Sequence, residues 1–361
     1  MVFIWFYTII ENYYKGSTLG VFSIICAMWH RIKVKMKELI KKYNISKTFY
    51  NRYFELNAIN RLGNELFRFM NFKEGKFINP MKKDEYIKQY VEEEIHNFYE
   101  KGEINIPQIE FCLTTQCSLK CKDCCALMPG FNQKGHIKMS VDEFKKSLDQ
   151  ILDVVNSIRK LIILGGEPLL RVELPELLEY AAKKEKVIHI AIVSNGTMLP
   201  NQKLIEILKK YNKINFYMSN YMGNPDIEPI LKYDKIKELL KQNGVKYQMM
   251  ESWEWFKELG FAKEKISEKA RKHNYETCHR TKCLQTLDRK IDICSKAFSG
   301  RNLGLIETKD YIDLDRTKNL RQELIDFYQK DMVDACEYCL LSTQKVSPAL
   351  QLDESEPRCK I

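Results

Sequence analysis

The stretch that decides the fold is Cys117-Ser-Leu-Lys-Cys121-Lys-Asp-Cys124, which follows a short apolar segment, Ile109–Leu113, that alternates like a β-strand. The intervals between these three cysteines are too short for easy disulfide pairing among them. Three thiolates on one loop can instead bind three corners of a [4Fe–4S] cubane. The fourth iron then has no protein ligand, so a small molecule can chelate it.

The same loop is also compatible with a zinc site. A structural Zn²⁺ ion is usually held by four Cys or His ligands. Cys112, Cys125 or His136 could supply the fourth ligand beside the three cysteines of the loop. The spacing alone leaves both alternatives open.

Length and charge suit one large α/β domain with attachments. The chain has 361 residues, is 45% hydrophobic and carries a formal charge of +10, from 58 basic and 48 acidic residues. This modest excess permits anionic partners but does not require nucleic acid. Five of its twelve cysteines fall into a C-x3-C-x2-C and a C-x2-C group, which is typical of metal binding in a reducing compartment. We therefore expect a cytoplasmic protein.

Helix and strand patterns alternate after the cysteine loop. Ser140-Val-Asp-Glu143 has the form of a capping box ahead of an apolar-periodic run. Helices are predicted over 174–184, 202–211 and 233–242, and strands over 161–164, 187–193, 214–218 and 245–250. With Ile109–Leu113 this gives five strands, and a sixth is expected further on. Such alternation predicts parallel strands in a closed or partly open barrel that carries its chemistry at the carboxyl ends of the strands.

Glycine and polar residues follow three of these strands. Gly165-Gly166-Glu167-Pro168 ends the second strand, and glycines let the backbone approach a ligand closely. Ser194-Asn195-Gly196-Thr197 ends the third strand, and Ser219-Asn220-Tyr221 ends the fourth. The last segment is compatible either with a ligand contact or with a plain solvated loop.

Taken together, the three-cysteine loop, the Gly-Gly-Glu-Pro segment and the Ser-Asn-Gly-Thr segment resemble the radical S-adenosylmethionine (radical SAM) superfamily. In that superfamily the open iron binds SAM, the reduced cluster gives one electron to the sulfonium, and the 5′-deoxyadenosyl radical abstracts a hydrogen. The resemblance implies that Cys117, Cys121 and Cys124 bind the cluster. It also implies a set of SAM-binding residues: Gly165, Gly166, Glu167, Pro168, Ser194, Asn195, Ser219 and Asn220.

The sequence departs from the superfamily pattern at one position. Many members have an aromatic residue just before the third cysteine, near the adenine, whereas this chain has Asp123. The thiolate ligands are unaffected, and the adenine contact at this position is put in doubt.

A second cysteine group lies beyond Gly260. Cys283 and Cys294 bracket ten residues whose alternation and Asp-Arg-Lys turn predict a hairpin, and Cys336-Glu-Tyr-Cys339 is a tight pair. Four thiolates of this kind can close a fully ligated [4Fe–4S] cluster.

This second group resembles the twitch domain, the shortened form of the SPASM extension of some radical SAM enzymes, which carries one auxiliary cluster. The usual glycine near the hairpin turn is missing. Cys278 is an alternative to Cys283 as a ligand, and Cys359 is an expected bystander. A zinc ribbon formed by the same four cysteines is the alternative structure.

The first hundred residues contain no recognisable site. Residues 1–10 are uncharged and residues 16–29 are apolar-rich, but neither run reaches the ~20 apolar residues of a spanning helix. The pattern favours a helical extension packed on the domain. The alternative is an interfacial anchor whose basic residues meet anionic lipid: Arg31, Lys33, Lys35, Lys37, Lys41 and Lys42.

The predicted architecture is an α/β fold with three parts. A partial (β/α)6 TIM-type barrel occupies residues 105–260, a helical N-terminal extension occupies 1–104, and a small cysteine-rich iron–sulfur domain occupies 261–361.

The resemblance implies hydrogen abstraction at a C–H bond. Net oxidation of a carbohydrate or cyclitol-type small molecule is the first hypothesis and peptide or protein maturation the second, with Glu251 at the end of strand five as a substrate contact. The expected partners are the substrate and an electron donor such as flavodoxin or ferredoxin, with weak membrane contact through the N-terminus. A non-catalytic zinc-binding interaction module is the rival from another class, but it does not account for the segments after the second and third strands.

Overall fold

The structure is a computed structural model that describes residues 36–69, 84–250, 255–257, 261, 267–339 and 344–353. Several predictions fall outside these residues. They concern the apolar segments and first basic residues of 1–35, the predicted substrate contact Glu251, and Cys359.

The secondary-structure elements are numbered in chain order. The strands are β1 (Asn105–Ile106), β2 (Ile109–Cys112), β3 (Ser157–Ile158), β4 (Leu161–Leu164), β5 (Ile190–Ser194), β6 (Ile214–Met218), β7 (Tyr247–Met249), β8 (Trp255–Phe256), β9 (Leu284–Leu287), β10 (Lys290–Asp292), β11 (Tyr311–Asp313) and β12 (Lys345–Val346). The helices are α1 (36–42), α2 (Leu56–Phe69), α3 (Asp84–Lys101), α4 (Phe131–Lys134), α5 (Val141–Val154), α6 (Leu174–Lys183), α7 (Gln202–Lys210), α8 (Tyr233–Gln242), α9 (Glu268–Thr277), α10 (Ser295–Leu303) and α11 (Leu320–Gln329). Helix α2 continues two shorter helical segments, Lys47–Phe49 and Tyr50–Glu55.

An eight-stranded sheet in the order β11-β10-β9-β2-β4-β5-β6-β7 organises the described residues. The five predicted strands are β2, β4, β5, β6 and β7, and they pair in parallel. The α/β class and the partial barrel are therefore confirmed.

The sixth parallel strand lies on the other side of β2. Strand β9 pairs in parallel with β2, with Ile109 opposite Leu284, and β10 and β11 extend the sheet in antiparallel fashion. The hairpin predicted near the second cysteine group is thus continuous with the central sheet. Two short sheets, β1 with β3 and β8 with β12, lie outside it.

Local sequence explains how α5 begins and which face of it is buried. The Ser140 hydroxyl accepts a hydrogen bond from the Glu143 N–H at 3.1 Å, and the Glu143 carboxylate accepts one from the Ser140 N–H at 2.6 Å. This is the predicted capping box. Phe144 on the next turn packs edge-on against Phe111 of β2, with ring centroids 5.1 Å apart. The odd-numbered side chains of β2 therefore face the helices, and the even-numbered ones face the opposite side of the sheet.

The β9–β10 hairpin turns without glycine. Asp288 and Arg289 both have φ of +51°, the backbone that a two-residue hairpin of the right twist requires. The buried Arg289 guanidinium donates to Gln150 Oε1 at 2.8 Å, Ser147 Oγ at 3.1 Å and Asp315 Oδ1 at 2.7 Å. These bonds hold the strained turn against α5.

Three asparagines of α2 cap the amino-terminal edge of the fold. Asn57, Asn60 and Asn64 donate to the carbonyl oxygens of Asn105, Pro107 and Arg159, at 2.9, 2.9 and 2.8 Å. Their spacing places them on one helix face. The described part of the N-terminal region is thus a helical extension packed on the domain. None of the described helices combines the length and apolarity that crossing a bilayer requires.

Replacing Phe111 by Ala should destabilise the fold by about 3–5 kcal/mol, because its fully buried ring would leave a cavity against α5. Leu199, whose side chain is 44% exposed, provides the control, and Leu199→Ala should change stability by less than about 0.5 kcal/mol. Anaerobic urea unfolding followed by circular dichroism measures both values. Equal midpoints for the two variants would contradict this account of the core.

Candidate active site

The three cysteines of the loop come together at the carboxyl edge of the parallel sheet. Burial, and then the neighbouring Cys117 thiol, raise the pKa of Cys121 to about 12. Burial, followed by Cys125 and Cys121, raises the pKa of Cys124. Burial also raises the pKa of Tyr221, and Cys121, Cys124 and Cys117 all add to that increase. The three predicted cluster ligands therefore belong to one packed cluster with Tyr221, a neighbour that sequence patterns did not single out.

The Gly165-Gly166 pair is packed directly against the backbone of the cysteine loop. A methyl group at Gly166 would overlap the Gln116 carbonyl, and one at Gly165 would overlap the Thr114 carbonyl. The Gly166 N–H donates to Thr114 O at 2.7 Å, and the Glu167 N–H donates to Gln116 O at 2.9 Å. The two glycines leave room for the loop that carries the cysteines, and the predicted contacts of Gly165, Gly166 and Pro168 with SAM stay predictions.

Glu167 links the ends of β4 and β5. Its fully buried carboxylate accepts hydrogen bonds from the Leu169 N–H at 3.1 Å and from the Asn195 N–H at 2.8 Å. Burial raises the pKa of Glu167, and these two bonds oppose the increase. One bond engages each carboxylate oxygen, so the side chain fixes the rim of the site. A contact of Glu167 with SAM stays a prediction.

The Ser-Asn-Gly-Thr segment is bonded to the cysteine loop. The Asn195 amide donates to Ser118 Oγ at 2.9 Å and to Cys117 Sγ at 3.6 Å. The Thr197 hydroxyl lies 2.7 Å from Ser118 Oγ. Gly196 has φ of +79°, and a Cβ there would overlap the Tyr233 ring. The ends of β2, β4 and β5 therefore form one hydrogen-bonded rim.

The end of β6 is less directly involved. The Ser219 carbonyl accepts a bond from the Tyr233 hydroxyl at 2.6 Å, and Asn220 Oδ1 accepts one from the Met222 N–H at 3.1 Å. These bonds stabilise the turn. The predicted ligand contacts of Ser219 and Asn220 stay predictions, whereas the next residue, Tyr221, reaches the cysteines.

Residues 348–353, which we call the C-terminal strap, cover the outer side of the cysteine loop. The Lys122 N–H donates to Leu350 O at 2.7 Å, and the Leu352 N–H donates to Lys120 O at 2.8 Å. The Gln351 amide donates to Cys121 Sγ at 3.5 Å. No motif predicts this pairing, because the two segments lie about 230 residues apart in sequence.

The second cysteine group forms a separate cavity. Cys278, Cys294, Cys336 and Cys339 line it together with Asn274, Arg280, Lys296, Ala297 and Ala335. Burial raises the pKa of Cys294, and the neighbouring thiols of Cys278, Cys339 and Cys336 add to the increase.

The structure places one predicted member of this group away from the cavity. Cys283 does not line the cavity, and its thiol instead hydrogen-bonds to Glu110 on β2. Cys283 directly precedes β9, and Gln285, two residues on, also bonds to Glu110, at 3.1 Å. Side chains two residues apart on a strand share a face, so Cys283 is turned towards Glu110. Cys278, which ends α9, takes its place in the cavity.

The described residues give no support to a mononuclear zinc site. No three His, Cys, Asp or Glu side chains among them are grouped closely enough to hold one metal ion. Two of the suggested fourth ligands have other partners, since Cys112 Sγ lies 3.5 Å from Thr114 O and His136 Nδ1 lies 3.5 Å from Thr115 Oγ1.

Comparison with known proteins agrees with this geometry. Residues 111–267 match the family model described as the radical SAM superfamily. The resemblance to the radical SAM superfamily is confirmed over these residues. The cofactors predicted from the first cysteine loop, a [4Fe–4S] cluster and SAM, are those of the superfamily, and this prediction is confirmed.

Curated relatives share only part of the chain. A probable GTP 3′,8-cyclase of Methanococcus maripaludis is 37% identical over 94 residues, which is 26% of this chain and 30% of the relative. A GTP 3′,8-cyclase of Syntrophomonas wolfei is 31% identical over 123 residues, covering 34% of this chain and 36% of the relative. The chain thus spans about a third of the length of these relatives.

Solved structures show a looser similarity. BtrN in complex with AdoMet and 2-DOIA is 16% identical, with a TM-score of 0.39 over 69% of this chain and 98% of that one. Streptococcus suis SuiB bound to S-adenosylmethionine is 19% identical, with a TM-score of 0.33 over 49% of this chain and 38% of that one.

Replacing Gly166 by Ala should displace the cysteine loop, because the added methyl would collide with the Gln116 carbonyl. We expect the anaerobically reconstituted variant to lose about four irons, the content of one cubane. Gly244→Ala is the control, because Gly244 has φ of +67° and open space around it. That variant should be strained by about 1–2 kcal/mol yet keep its iron. Colorimetric iron analysis distinguishes the outcomes, and full iron content in the Gly166 variant would contradict the packing argument.

Proposed function

We propose that this protein is a radical SAM enzyme that removes a hydrogen atom from a C–H bond of a small molecule and completes the oxidation with a second [4Fe–4S] cluster. The observation that carries the proposal is the packing of Cys117, Cys121 and Cys124 with Tyr221 in one cluster at the carboxyl edge of a parallel sheet. Catalytic groups of β/α barrels are carried at this edge.

The chemistry of the donor set fits the first cluster. Three buried thiols with raised pKa values are costly to ionise unless a cationic centre lies beside them. Cys117, Cys121 and Cys124 would hold three irons. When bound, the reduced cluster supplies the electron that cleaves SAM into methionine and the 5′-deoxyadenosyl radical, which takes the substrate hydrogen.

Residues of the chain orient and shield this site. The amides of Asn195 and Gln351 donate to the sulfurs of Cys117 and Cys121, and such bonds tune cluster potentials. The Tyr221 ring packs edge-on against Trp255, with centroids 5.8 Å apart. This aromatic pair and the C-terminal strap both pack beside the cysteine loop, and a covered site suits chemistry with reactive intermediates.

The second cavity fits an auxiliary cluster held by Cys278, Cys294, Cys336 and Cys339. Its four thiols share the cavity with Lys296, which is only 2% exposed, and with Arg280. A thiolate-ligated cluster carries negative charge, so nearby cationic side chains offset the cost of burying it. Such a cluster can accept the electron left on the substrate after hydrogen removal, which supports net oxidation.

The curated relatives indicate the class of the substrate. The curated relatives are named for a reaction of GTP, a small molecule, which favours a small-molecule substrate over a peptide. Within that class we propose a carbohydrate or cyclitol-type compound, with an external electron donor such as flavodoxin or ferredoxin. Peptide maturation is the alternative. The ten described cysteines form no disulfide with one another, in keeping with the reducing conditions that this chemistry needs.

Anaerobic purification tests the proposed function. The wild-type protein should be brown, absorb near 400 nm and contain about eight irons per chain. With dithionite and SAM it should release 5′-deoxyadenosine and methionine, quantified by mass spectrometry. Cys124→Ala should lose about four irons and all 5′-deoxyadenosine formation. A colourless zinc protein that leaves SAM intact would refute the proposal.

A pair of cysteine variants tests the auxiliary ligand set. Cys278→Ala should lose about four irons, because it removes one thiol from the second cavity, yet still form 5′-deoxyadenosine. Cys283→Ala is the matched control, five residues along the chain, and should keep about eight irons. Iron analysis together with electron paramagnetic resonance of the reduced proteins separates the two clusters. The reverse pattern would restore Cys283 as the ligand.

A further inference from the structure

The helix-free face of the central sheet carries a row of polar side chains that the two cysteine sites do not use. Strand pairing places Gln285, Glu110, Ile162, Ala191 and Asn215 side by side on neighbouring strands. Phe111, the next residue on β2, packs against α5 on the opposite face. The five side chains of the row therefore face the interior of the partial barrel.

Both ends of the row present hydrogen-bonding groups, and its centre is apolar. At one end Glu110 Oε2 accepts a bond from the Gln285 amide at 3.1 Å. At the other end the Asn215 amide donates to Gln248 Oε1 of β7 at 3.2 Å. Ile162 and Ala191, both buried, lie between them. An apolar floor with a few convergent polar groups is the usual lining of a small-molecule site.

Two buried acceptors of the row lack partners among the described residues. Gln285 Oε1 and Asn215 Oδ1 accept no hydrogen bond, although their side chains are only 1% and 0% exposed. A buried acceptor without a partner costs about 1–3 kcal/mol, so a ligand that donates to either oxygen recovers that energy. The missing groups are donors such as hydroxyl or ammonium N–H.

The charges of the row disfavour a polyanion. Glu110 contributes a carboxyl group, and its titratable neighbours are the Cys283 and Cys112 thiols and the Lys160 ammonium. Lys160 lies over the Tyr217 ring at 5.1 Å. Triphosphates are bound by several cationic or N–H donors, whereas this row offers one ammonium and several acceptors.

The row also lies at the right depth for a substrate. Glu110 lies two residues before Cys112, the last residue of β2, and on the same face of the strand. The cysteine loop follows just beyond. A molecule seated on the row would therefore lie one layer below the edge where the proposed hydrogen abstraction takes place.

We infer that this row is the substrate subsite of the proposed enzyme and that it selects a neutral or cationic polyhydroxy or amino-substituted ring compound over a nucleoside triphosphate. The inference rests on the proposed function and narrows its substrate class. Glu110 and Gln285 bind one end of the compound, and Asn215 binds the other.

Anaerobic equilibrium dialysis of the full-length holoenzyme with SAM tests this inference. The probes are D-glucosamine, myo-inositol and GTP, quantified by mass spectrometry. The wild type should bind at least one of the first two more tightly than GTP. Glu110→Gln and Gln285→Leu should each weaken that binding by about tenfold to a hundredfold, the effect of losing a hydrogen bond that involves a charged group. Glu206→Gln, an exposed change on α7, is the control and should bind as the wild type does.

The iron content and the circular dichroism spectra of the variants should match those of the wild type. Such a match shows that each substitution weakens binding locally and leaves the fold and the clusters intact. The inference would be overturned if the wild type bound GTP more tightly than both ring compounds, or if it bound neither ring compound. Unchanged binding by both Glu110→Gln and Gln285→Leu would also overturn it. Formation of 5′-deoxyadenosine without added substrate, measured on the same samples, reports the proposed function separately. Its absence in the wild type would refute that function, whereas its presence together with failed binding would refute only the subsite.

Discussion

The close approach between the Gly165-Gly166 backbone and the cysteine loop is the constraint on which the site depends. Two strand ends are joined by hydrogen bonds at 2.7 and 2.9 Å with no room for a side chain between them. The loop is thereby held to the sheet edge through its backbone, with its three cysteines in the packed cluster that includes Tyr221. Side chains at either glycine would separate the loop from the sheet that positions it.

Hydrogen bonds between buried polar groups then connect the other strand ends along the rim. The Glu167 carboxylate joins β4 to β5, and the Asn195 amide joins β5 to the cysteine loop. Each bond is made in a site with little water, where an unsatisfied partner is expensive. A rim connected in this way keeps the geometry of the thiols before any cluster is present.

The central sheet connects the two cysteine sites structurally. Strand β9 pairs with β2, so the region that leads to Cys294 is hydrogen-bonded to the strand that leads to Cys117. The C-terminal strap adds a second connection, because it returns to the first loop soon after Cys336 and Cys339. Both cysteine sites, and the barrel interior beside them, are therefore fixed by one set of strand pairings. This arrangement suits the proposed reaction, in which an auxiliary cluster accepts an electron from the substrate.

Local periodicity and spacing were enough to predict much of this protein. The alternation of helices and strands, the capping box at Ser140, the hairpin around Asp288 and the three-cysteine loop are properties of contiguous residues, and the structure contains all of them. Tertiary pairing decided the rest. Cys278 and Cys283 are indistinguishable by spacing, and the parallel pairing of β9 with β2 turns Cys283 towards Glu110 instead of the second cavity. The C-terminal strap, the position of Tyr221 and the polar row inside the barrel likewise join residues from distant parts of the chain. Such contacts arise only when strands are brought side by side, and no local pattern in the sequence encodes them.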